Sequence, residues 1–405
     1  MASTASRAQA VGADDSADAV DLAALQQTAR RFVEREVVPH LEAWEAEGRL
    51  PRSLYRKAGD IGLLGLGFPE RFGGVPCSNA TVVALVDELA RAGSGGLIAG
   101  LLSHGIAMPP ILALGDDALQ QRILPPVLRG EALAALAVTE PGGGSDVANL
   151  RTIATRVEGA DGSNARYVLR GEKTFITTGL AADWLTVAAR TGGPGMAGVT
   201  LFAVPGDSPG LQRRPLAKMG WWCSDTAHLH FDGVEVPAAL RVGDEGMGFY
   251  ALMHNFNRER LMLAAMAVAF ARVAIDDVIE WARERETFGK PLLARQLVRH
   301  KLVELETAQR AARAFLLQTV HAVDAAAAQG EGEDAALVAD VCMVKNHCTA
   351  MLEHVAGVSV QLLGGMGYMR GVRVERIFRE TKVLSIGGGA SEVLAELAGK
   401  QLWAG

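Results

Sequence analysis

The chain has 405 residues, which is enough for two or three domains and a large hydrophobic core. Hydrophobic residues make up 49% and charged residues 21%, as is typical of a soluble globular protein, and no apolar run is long enough to span a membrane. The net charge of −6 gives little support to nucleic-acid binding. The four cysteines form no CxxC pair, so we expect reduced thiols, a cytoplasmic location and no metal site.

Three segments of different pattern follow a polar start. Residues 1–20 are rich in Ala, Ser and Asp, which predicts a disordered tail rather than a signal peptide. Apolar residues spaced three and four apart predict an all-α domain over residues 21–131. Short β-like runs predict an antiparallel β-domain over 132–243, and long helical patterns predict a four-helix bundle over 244–405. The predicted fold class is therefore α+β.

The predicted elements can be placed within these domains. Helical patterns of the first domain cover 21–48, a short stretch from Pro51, 79–92, 97–114 and 116–128. The β-like runs of the second are 132–138, 167–170, 174–177, 184–189, 199–204 and 228–234. Helices of the third are predicted at 248–286, 292–328 and 334–363, with a fourth element from Ser391, whose hydroxyl can cap it.

A glycine-rich loop follows the first predicted strand. Residues 139–146 read Thr-Glu-Pro-Gly-Gly-Gly-Ser-Asp. Glycines permit positive φ and close approach of the backbone, so N–H groups can face an anion or a flat ring. No GK[ST] follows and no helix begins at the last glycine, which excludes a P-loop and a dinucleotide fingerprint. By itself, the pattern is also typical of a tight turn.

A carboxylate lies on the apolar face of the helix predicted from Gly248. Glu259 follows Phe256 by three residues and precedes Leu263 by four, so it projects from the same stripe. A carboxylate on a core face is costly unless it is paired or protonated. The spacing leaves two interpretations open, a structural ion pair with Arg260 or a base whose pKa is raised by desolvation.

The loop 139–146 resembles the flavin-binding signature of the acyl-CoA dehydrogenase family, and further blocks fall in that family's order over residues 20–403. The domain order also resembles that of the family. The resemblance implies an FAD-dependent enzyme of the fatty-acid β-oxidation type, converting an acyl-CoA to the trans-2-enoyl-CoA. It also implies an electron-transfer flavoprotein as acceptor and a homotetramer. A flavin oxidase or monooxygenase on the same fold, or a non-catalytic acyl-CoA-binding subunit, stays open.

The resemblance also bears on the base. Most family members carry a glutamate near the C-terminus, in a context like Tyr-Glu-Gly-Thr-Ser, and here Gly388 takes its place. Isovaleryl- and long-chain-type members carry the base within Glu-Arg-Leu on the earlier helix, as Glu259 does here. The resemblance implies that Glu259 removes the α-proton and that the Gly388 N–H, with a ribityl hydroxyl of FAD, binds the thioester carbonyl. Glu392, in the first turn of the last helix, is expected to be structural or cofactor-adjacent.

Residues expected from the resemblance to contact FAD lie in several separate segments. Those of the Arg-x-x-Phe-Gly block and the Gln-Leu-Leu-Gly-Gly segment are expected to serve the FAD of a neighbouring subunit. The set is Val138, Thr139, Gly144, Ser145, Phe175, Thr177, Arg285, Thr287, Phe288, Gln296, Gln361, Gly364, Gly365, Ser391 and Glu392. Three positions depart from the family pattern without removing a catalytic group, namely Leu136 and Phe175, where an aromatic and a tryptophan are common, and Ala390, where a threonine is common.

The expected substrate contacts are Ser145, Trp222, Asn257, Arg260 and Gly387. Adjacent tryptophans at positions 221 and 222 place one ring on each face of an extended chain. They fit either a wall of the acyl pocket or one ring in the core and one at a subunit contact. The two glycines at 387 and 388 leave space where other members carry glutamate, so we expect a branched or medium-to-long acyl chain.

Overall fold

The computed structural model describes residues 20–159 and 165–403. The tail predicted over 1–20 lies outside these ranges apart from Val20. Within them, one set of helices precedes a β-sheet and another follows it. This order confirms the predicted α+β architecture.

The N-terminal helices are α1 (Leu22–Phe32), α2 (Leu41–Glu47), α3 (Arg52–Asp60), α4 (Asn79–Ala90), α5 (Gly95–Leu101), α6 (His104–Ala107), α7 (Pro109–Leu114) and α8 (Asp117–Leu128). Two of the predicted helices are broken. A π-helical turn, Val33–Val37, follows α1 before α2 begins. The segment 97–114 spans α5, α6 and α7. Pro109 has no backbone N–H to continue α6 and instead begins α7.

The middle of the chain forms a sheet of eight strands within the described residues. They are β1 (Ala134–Ala137), β2 (Ile153–Val157), β3 (Arg166–Thr177), β4 (Trp184–Arg190), β5 (Val199–Pro205), β6 (Leu211–Pro215), β7 (Thr226–Pro237) and β8 (Arg241–Val242). The order is β6-β7-β3-β2-β4-β5-β8, with β1 beside β4. Most pairs are antiparallel as predicted, but β1 and β2 pair with β4 in parallel. The runs predicted at 167–170 and 174–177 form one irregular strand, β3.

The C-terminal elements are α9 (Gly248–Glu284), the hairpin strands β9 (Glu286–Thr287) and β10 (Lys290–Pro291), α10 (Gln296–Ala328), α11 (Ala335–Leu363), α12 (Arg373–Ile386) and α13 (Ser391–Trp403). The sequence did not predict α12, because charged residues separate its few buried apolar positions. The long helix α9 joins two cores. Leu252 packs in the core of the sheet, whereas Leu261 belongs to the helical core. Glu259 therefore lies where the two cores meet.

No single helix among the described residues has both the length and the apolar composition of a membrane span. The bent pair Gly95–Leu101 and His104–Leu114 meets those two criteria together. All four cysteines are free, and three of them are buried.

Candidate active site

The Glu259 side chain faces the loop that connects α12 and α13. A Cβ atom on Gly388 would lie 3.9 Å from the carboxyl carbon of Glu259 and 2.8 Å from Cδ1 of Leu263. Gly388 also has a positive φ of 65°. The volume that a larger residue would occupy at position 388 is therefore filled by α9. The absence of a side chain at Gly388 therefore makes room for Glu259 and Leu263 rather than for a bulkier acyl chain.

The carboxylate of Glu259 makes no hydrogen bond or ion pair within the part of the chain that the structure describes. Arg260, which the ion-pair interpretation requires, instead donates from Nε to the Gly388 carbonyl at 3.1 Å and from Nη1 to Asn257 Oδ1 at 2.6 Å. Burial raises the pKa of Glu259 to about 7, against the opposing positive charges of Arg260 and Lys345. Such a carboxylate is partly ionised at neutral pH and binds a proton more tightly than an ordinary glutamate.

Cationic side chains hold the loop opposite Glu259. The fully buried Lys345 of α11 donates from Nζ to the carbonyls of Ser385 at 3.1 Å and Gly389 at 2.8 Å. Arg260 holds the carbonyl of Gly388 between them. Burial, together with the charge of Arg260, lowers the pKa of Lys345 to about 8. Because peptides on both sides of the Gly388 N–H are held, that donor has little freedom to turn.

Sequence reasoning missed Lys345, although its position carries a signal. The residue follows Val341 by four and precedes Cys348 by three and Leu352 by seven, and these neighbours are buried. It therefore lies on the apolar stripe of α11, where a charge needs buried acceptors. The pattern could have identified an unusual lysine, but not the loop that it binds.

A cavity of about 70 Å³ lies between α4, the α5–α6 segment and α9. Glu259, Arg258 and His104 are among its polar lining, and most of the remaining wall is apolar, including Leu63, Leu66, Phe68, Val82, Val83, Leu85, Val86, Leu102, Ile106, Leu261, Met262 and Ala265. His104 donates from Nε2 to the Leu64 carbonyl at 2.8 Å, and burial lowers its pKa to about 4. The imidazole is therefore neutral, and the cavity suits a ligand with a largely apolar chain.

A buried ion pair anchors the start of the glycine-rich loop. Lys173 Nζ lies 2.8 Å from both Glu140 Oε1 and the Val138 carbonyl. Glu140 also accepts the backbone N–H groups of Arg151 at 2.6 Å and Thr152 at 2.8 Å. Burial opposes ionisation of Glu140, but the charge of Lys173 and these donors lower its pKa overall. Neither charged residue was predicted as part of the site, since their pairing depends on strand neighbours distant in sequence.

The surface beside this loop fits a flat ring. The Thr174 N–H donates to the Thr139 carbonyl at 2.8 Å, which brings the loop next to Phe175. Phe175 is 70% exposed and has a φ of 60°, a conformation that is rare for aromatic residues. Nothing lies within 4 Å of a Cβ placed on Gly142 or Gly143. An exposed aromatic in a strained conformation beside an open glycine backbone suits a bound flavin.

Other residues expected at the cofactor surround this surface or lie apart from it. Val138 is buried, Thr139 and Thr177 are half-buried, and Gly144 and Ser145 are exposed. On the helical bundle, Arg285, Thr287, Phe288 and Gln296 lie at or near the β9–β10 hairpin, and Gln361, Gly364 and Gly365 at the end of α11. Phe288 is 98% exposed. In the described ranges no hydrogen bond or ion pair joins these bundle residues to loop 139–146, and their service to a neighbouring subunit stays a prediction.

Ser391 and Glu392 form the first turn of α13. Ser391 is the first helical residue, so it does not cap the helix as predicted; its hydroxyl donates to the Ser385 carbonyl at 3.4 Å. Glu392 is exposed, and its negative charge acts on the pKa of Lys345 from a distance. Its position therefore differs sharply from that of the half-buried Glu259.

The predicted substrate residues Asn257, Arg260 and Gly387 lie near Glu259. Asn257 and Arg260 are on the same helix, α9, and Gly387 is in the loop that Glu259 faces. Asn257 is buried, donates to Glu333 and accepts from Arg260. These side chains therefore bond to one another and to the loop. Within the described residues, the side chains of Asn257 and Arg260 are used in these hydrogen bonds, and neither lines the cavity.

Neither tryptophan of the predicted acyl-pocket segment lines the cavity. Trp221 packs against the helical core. Trp222 donates its indole N–H to the Lys218 carbonyl at 2.9 Å. Two guanidinium groups lie against its ring, that of Arg370 at 4.1 Å and that of Arg379 at 3.7 Å from the ring centroid. This cation–π arrangement gives Trp222 a structural contact that sequence spacing did not indicate.

Comparisons with known proteins agree with this arrangement. Models of the acyl-CoA dehydrogenase N-terminal, middle and C-terminal domains match residues 20–131, 135–234 and 246–403. The chain is 33% identical over 387 residues to the mitochondrial long-chain specific acyl-CoA dehydrogenase of Rattus norvegicus, covering 93% of this chain and 85% of that protein.

Solved structures show the same likeness. A probable acyl-CoA dehydrogenase from Mycobacterium abscessus is 45% identical with a TM-score of 0.88, covering 94% of this chain and 98% of the other. A glutaryl-CoA dehydrogenase from Mycobacterium smegmatis, in complex with FADH2, is 26% identical with a TM-score of 0.84 and covers 95% of both chains. The chain therefore belongs to the acyl-CoA dehydrogenase family of oxidoreductases.

Proposed function

We propose that this protein catalyses the FAD-dependent α,β-dehydrogenation of an acyl-CoA thioester, with Glu259 as the base. The observation that carries the proposal is the environment of Glu259. This carboxylate lines an apolar cavity, lacks an ion-pair partner in the described chain, has a pKa of about 7 and faces Gly388. Glu392, by contrast, is exposed and is not among the residues that line this cavity.

Each site residue has a separate role in the proposed reaction. Glu259 takes the α-proton of the thioester, and the Gly388 N–H binds its carbonyl oxygen as negative charge develops there. Arg260 and Lys345 hold the loop, so the donor needs little reorganisation. The apolar wall of the cavity keeps water from the reacting carbons. When bound, FAD would supply the acceptor for the β-hydride, and loss of the proton and the hydride would leave the carbon–carbon double bond.

The residues beside the glycine-rich loop are those proposed to hold FAD. Phe175 offers an exposed aromatic face, and the loop that contains Ser145 offers backbone N–H groups to the phosphates. The glutaryl-CoA dehydrogenase that the chain resembles was solved with FADH2, which supports the same cofactor here. A homotetramer, completed by the exposed bundle residues, and an electron-transfer flavoprotein as acceptor belong to the same proposal.

The acyl group is proposed to be branched or medium-to-long. The likeness to a long-chain specific enzyme and the apolar cavity wall support this range. Since Leu263 and Glu259 fill the volume beside Gly388, the chain must extend between α4 and α9 instead. The valine and leucine side chains that line the cavity would therefore determine which acyl chains fit.

Anaerobic titration of the purified holoenzyme with a panel of acyl-CoAs tests the proposal. We expect the flavin absorbance to bleach with straight or branched acyl-CoAs and to recover when oxidised electron-transfer flavoprotein is added. Absence of bleaching with every member of the panel would overturn the proposal and favour a non-catalytic subunit. Rapid reoxidation of the reduced enzyme by air would replace it with an oxidase or monooxygenase.

A further inference from the structure

A second charged residue of α9 lines the same cavity as Glu259. Arg258 is half-buried, and within the described residues it makes no hydrogen bond and no ion pair within 4.0 Å. Burial lowers its pKa, although a guanidinium stays charged at any physiological pH. A charge in such a place is costly unless a partner compensates it.

The two carboxylates whose charges act on the pKa of Arg258 already have other hydrogen-bond partners. Asp324 accepts from the backbone and side chain of Asn79, at 2.8 and 2.7 Å, and from the N–H of Ala80 at 3.1 Å. Glu333 accepts from Asn257. Both act on Arg258 only from a distance. The guanidinium therefore keeps its donors for something that enters the cavity.

Arg258 and Glu259 reach different ends of this space. Consecutive helical residues project about 100° apart. Glu259 faces Gly388, whereas Nη2 of Arg258 lies 3.2 Å from the position of a Cβ on Gly67. Gly67 is flanked by Leu66 and Phe68, which line the cavity. If the thioester lies at Gly388, the distal end of the acyl chain would thus approach the guanidinium of Arg258.

We propose that Arg258 binds an oxygen at the distal end of the acyl chain, so that the enzyme prefers acyl-CoAs ending in a carboxylate or another strong hydrogen-bond acceptor. The inference rests on the proposed dehydrogenase function. The planar guanidinium can donate two parallel hydrogen bonds to a carboxylate. A plain alkyl end would leave the charge uncompensated, because a hydrocarbon offers it no acceptor.

The test compares matched substrates on the FAD-loaded enzyme. Monothioesters of dicarboxylic acids of increasing length are each paired with the alkanoyl-CoA of equal heavy-atom count, and kcat/KM for flavin reduction is measured. For the dicarboxylic substrate of optimal length, we expect kcat/KM to exceed that of its paired alkanoyl-CoA by at least about tenfold. Arg258→Met should abolish or invert that preference, with a loss on the order of a hundredfold for the dicarboxylic substrate.

Two further variants control for folding and charge. Arg258→Lys keeps the charge without the planar fork and should restore part of the preference. Arg283→Met removes an exposed arginine from the same helix and should leave the ratio unchanged. FAD content and thermal unfolding verify that each variant is folded.

The outcomes separate this inference from the function on which it rests. If alkanoyl-CoAs bleach the flavin as well as their dicarboxylic partners, and Arg258→Met leaves the ratio unchanged, the distal site is overturned while the dehydrogenase stands. If no acyl-CoA bleaches the flavin, the proposed function itself fails.

Discussion

Two glutamates, the half-buried Glu259 and the buried Glu380, have nearly the same proton affinity in different surroundings. Burial raises the pKa of both Glu259 and Glu380 to about 7. Glu380, on α12, accepts the N–H groups of Gly95 at 2.7 Å and Trp221 at 2.8 Å. Glu259 accepts no hydrogen bond in the described chain and opens onto a cavity. A raised pKa therefore does not distinguish a base from a structural carboxyl, but unused acceptor capacity beside a cavity does.

The surroundings of Glu380 reinforce the contrast. Arg379 lies 3.2 Å from Glu45 and 4.0 Å from Glu380, so α2 and α12 are joined by charges. The two N–H donors to Glu380 come from α5 and from the loop before β7. Glu380 thus connects segments far apart in sequence.

Replacing the proposed base should have the largest effect. Glu259→Gln keeps the size of the side chain but cannot accept the α-proton, so flavin reduction should slow by about a thousandfold. Stopped-flow measurement of bleaching with saturating acyl-CoA checks this, with bound FAD unchanged. Glu392→Gln, at the exposed rival carboxyl, serves as the control. A near-normal rate in Glu259→Gln would place the base elsewhere.

Removing the structural carboxyl should instead reduce stability. Glu380→Ala leaves the N–H groups of Gly95 and Trp221 without their acceptor, and we expect a loss of about 2–5 kcal/mol in the free energy of unfolding. Denaturant titration measures it. Flavin reduction per FAD-loaded subunit should not change. Loss of that rate in fully loaded, folded protein would show that Glu380 acts in catalysis.

Releasing the loop opposite Glu259 should have an intermediate effect on catalysis. Lys345→Met removes the hydrogen bonds to Ser385 and Gly389, and kcat/KM should fall by about ten- to a hundredfold because the Gly388 donor is less well held. It also removes a positive charge that lowers the pKa of Glu259. The acidic limb of the pH profile should therefore move to higher pH.

The exposed Lys382 provides the matched control for that experiment. It pairs with Glu353 at 3.1 Å on the outer face of α12. Lys382→Met should leave both kcat/KM and the pH profile as they are, since exposed pairs contribute little. An unshifted acidic limb in Lys345→Met would show that this charge does not reach Glu259.

The smallest expected effect is a stability cost of the base itself. The folded-state pKa of Glu259 is about 7 against an ordinary 4.5, so the folded protein binds more protons than the unfolded chain between these values. Stability therefore falls as pH rises through that window and is level above it. Glu259→Gln should be more stable than the parent at pH 8 by about 1–3 kcal/mol, and equal to it near pH 4. Denaturant midpoints at both pH values, with FAD held constant, measure the difference; equal midpoints at pH 8 would contradict it.

Local patterns predicted the place of Glu259 on the apolar stripe of α9 and most of the fold, because each depends on short-range periodicity. The stripe of α9 is continuous around position 259, and the turns between strands are marked by Gly, Asp and Pro. The same reasoning joined α5, α6 and α7 into one helix, since their apolar spacing persists across Pro109. It missed α12, whose buried positions are separated by charged residues that pair with α2.

Contacts between distant segments could not be predicted in this way. The pairing of Glu140 with Lys173 depends on where β1 and β3 lie in the sheet, and the hydrogen bonds of Lys345 depend on how α11 meets the loop after α12. Trp222 fitted a pocket wall by spacing, but its neighbours Arg370 and Arg379 lie 148 and 157 residues later in the chain. Such partners are chosen by tertiary packing.

The crowding beside Gly388 limits which residues can replace this glycine. A Cβ there meets Leu263 at 2.8 Å, and the backbone is left-handed, so a glutamate introduced at 388 alone would be strained. Moving the proposed base from α9 to position 388 would therefore need a smaller residue at 263 and a reshaped loop. Each intermediate would carry two competing acids or none. Under the proposed assignment, a glutamate at position 388 would therefore be tolerated only together with changes in the residues that face it.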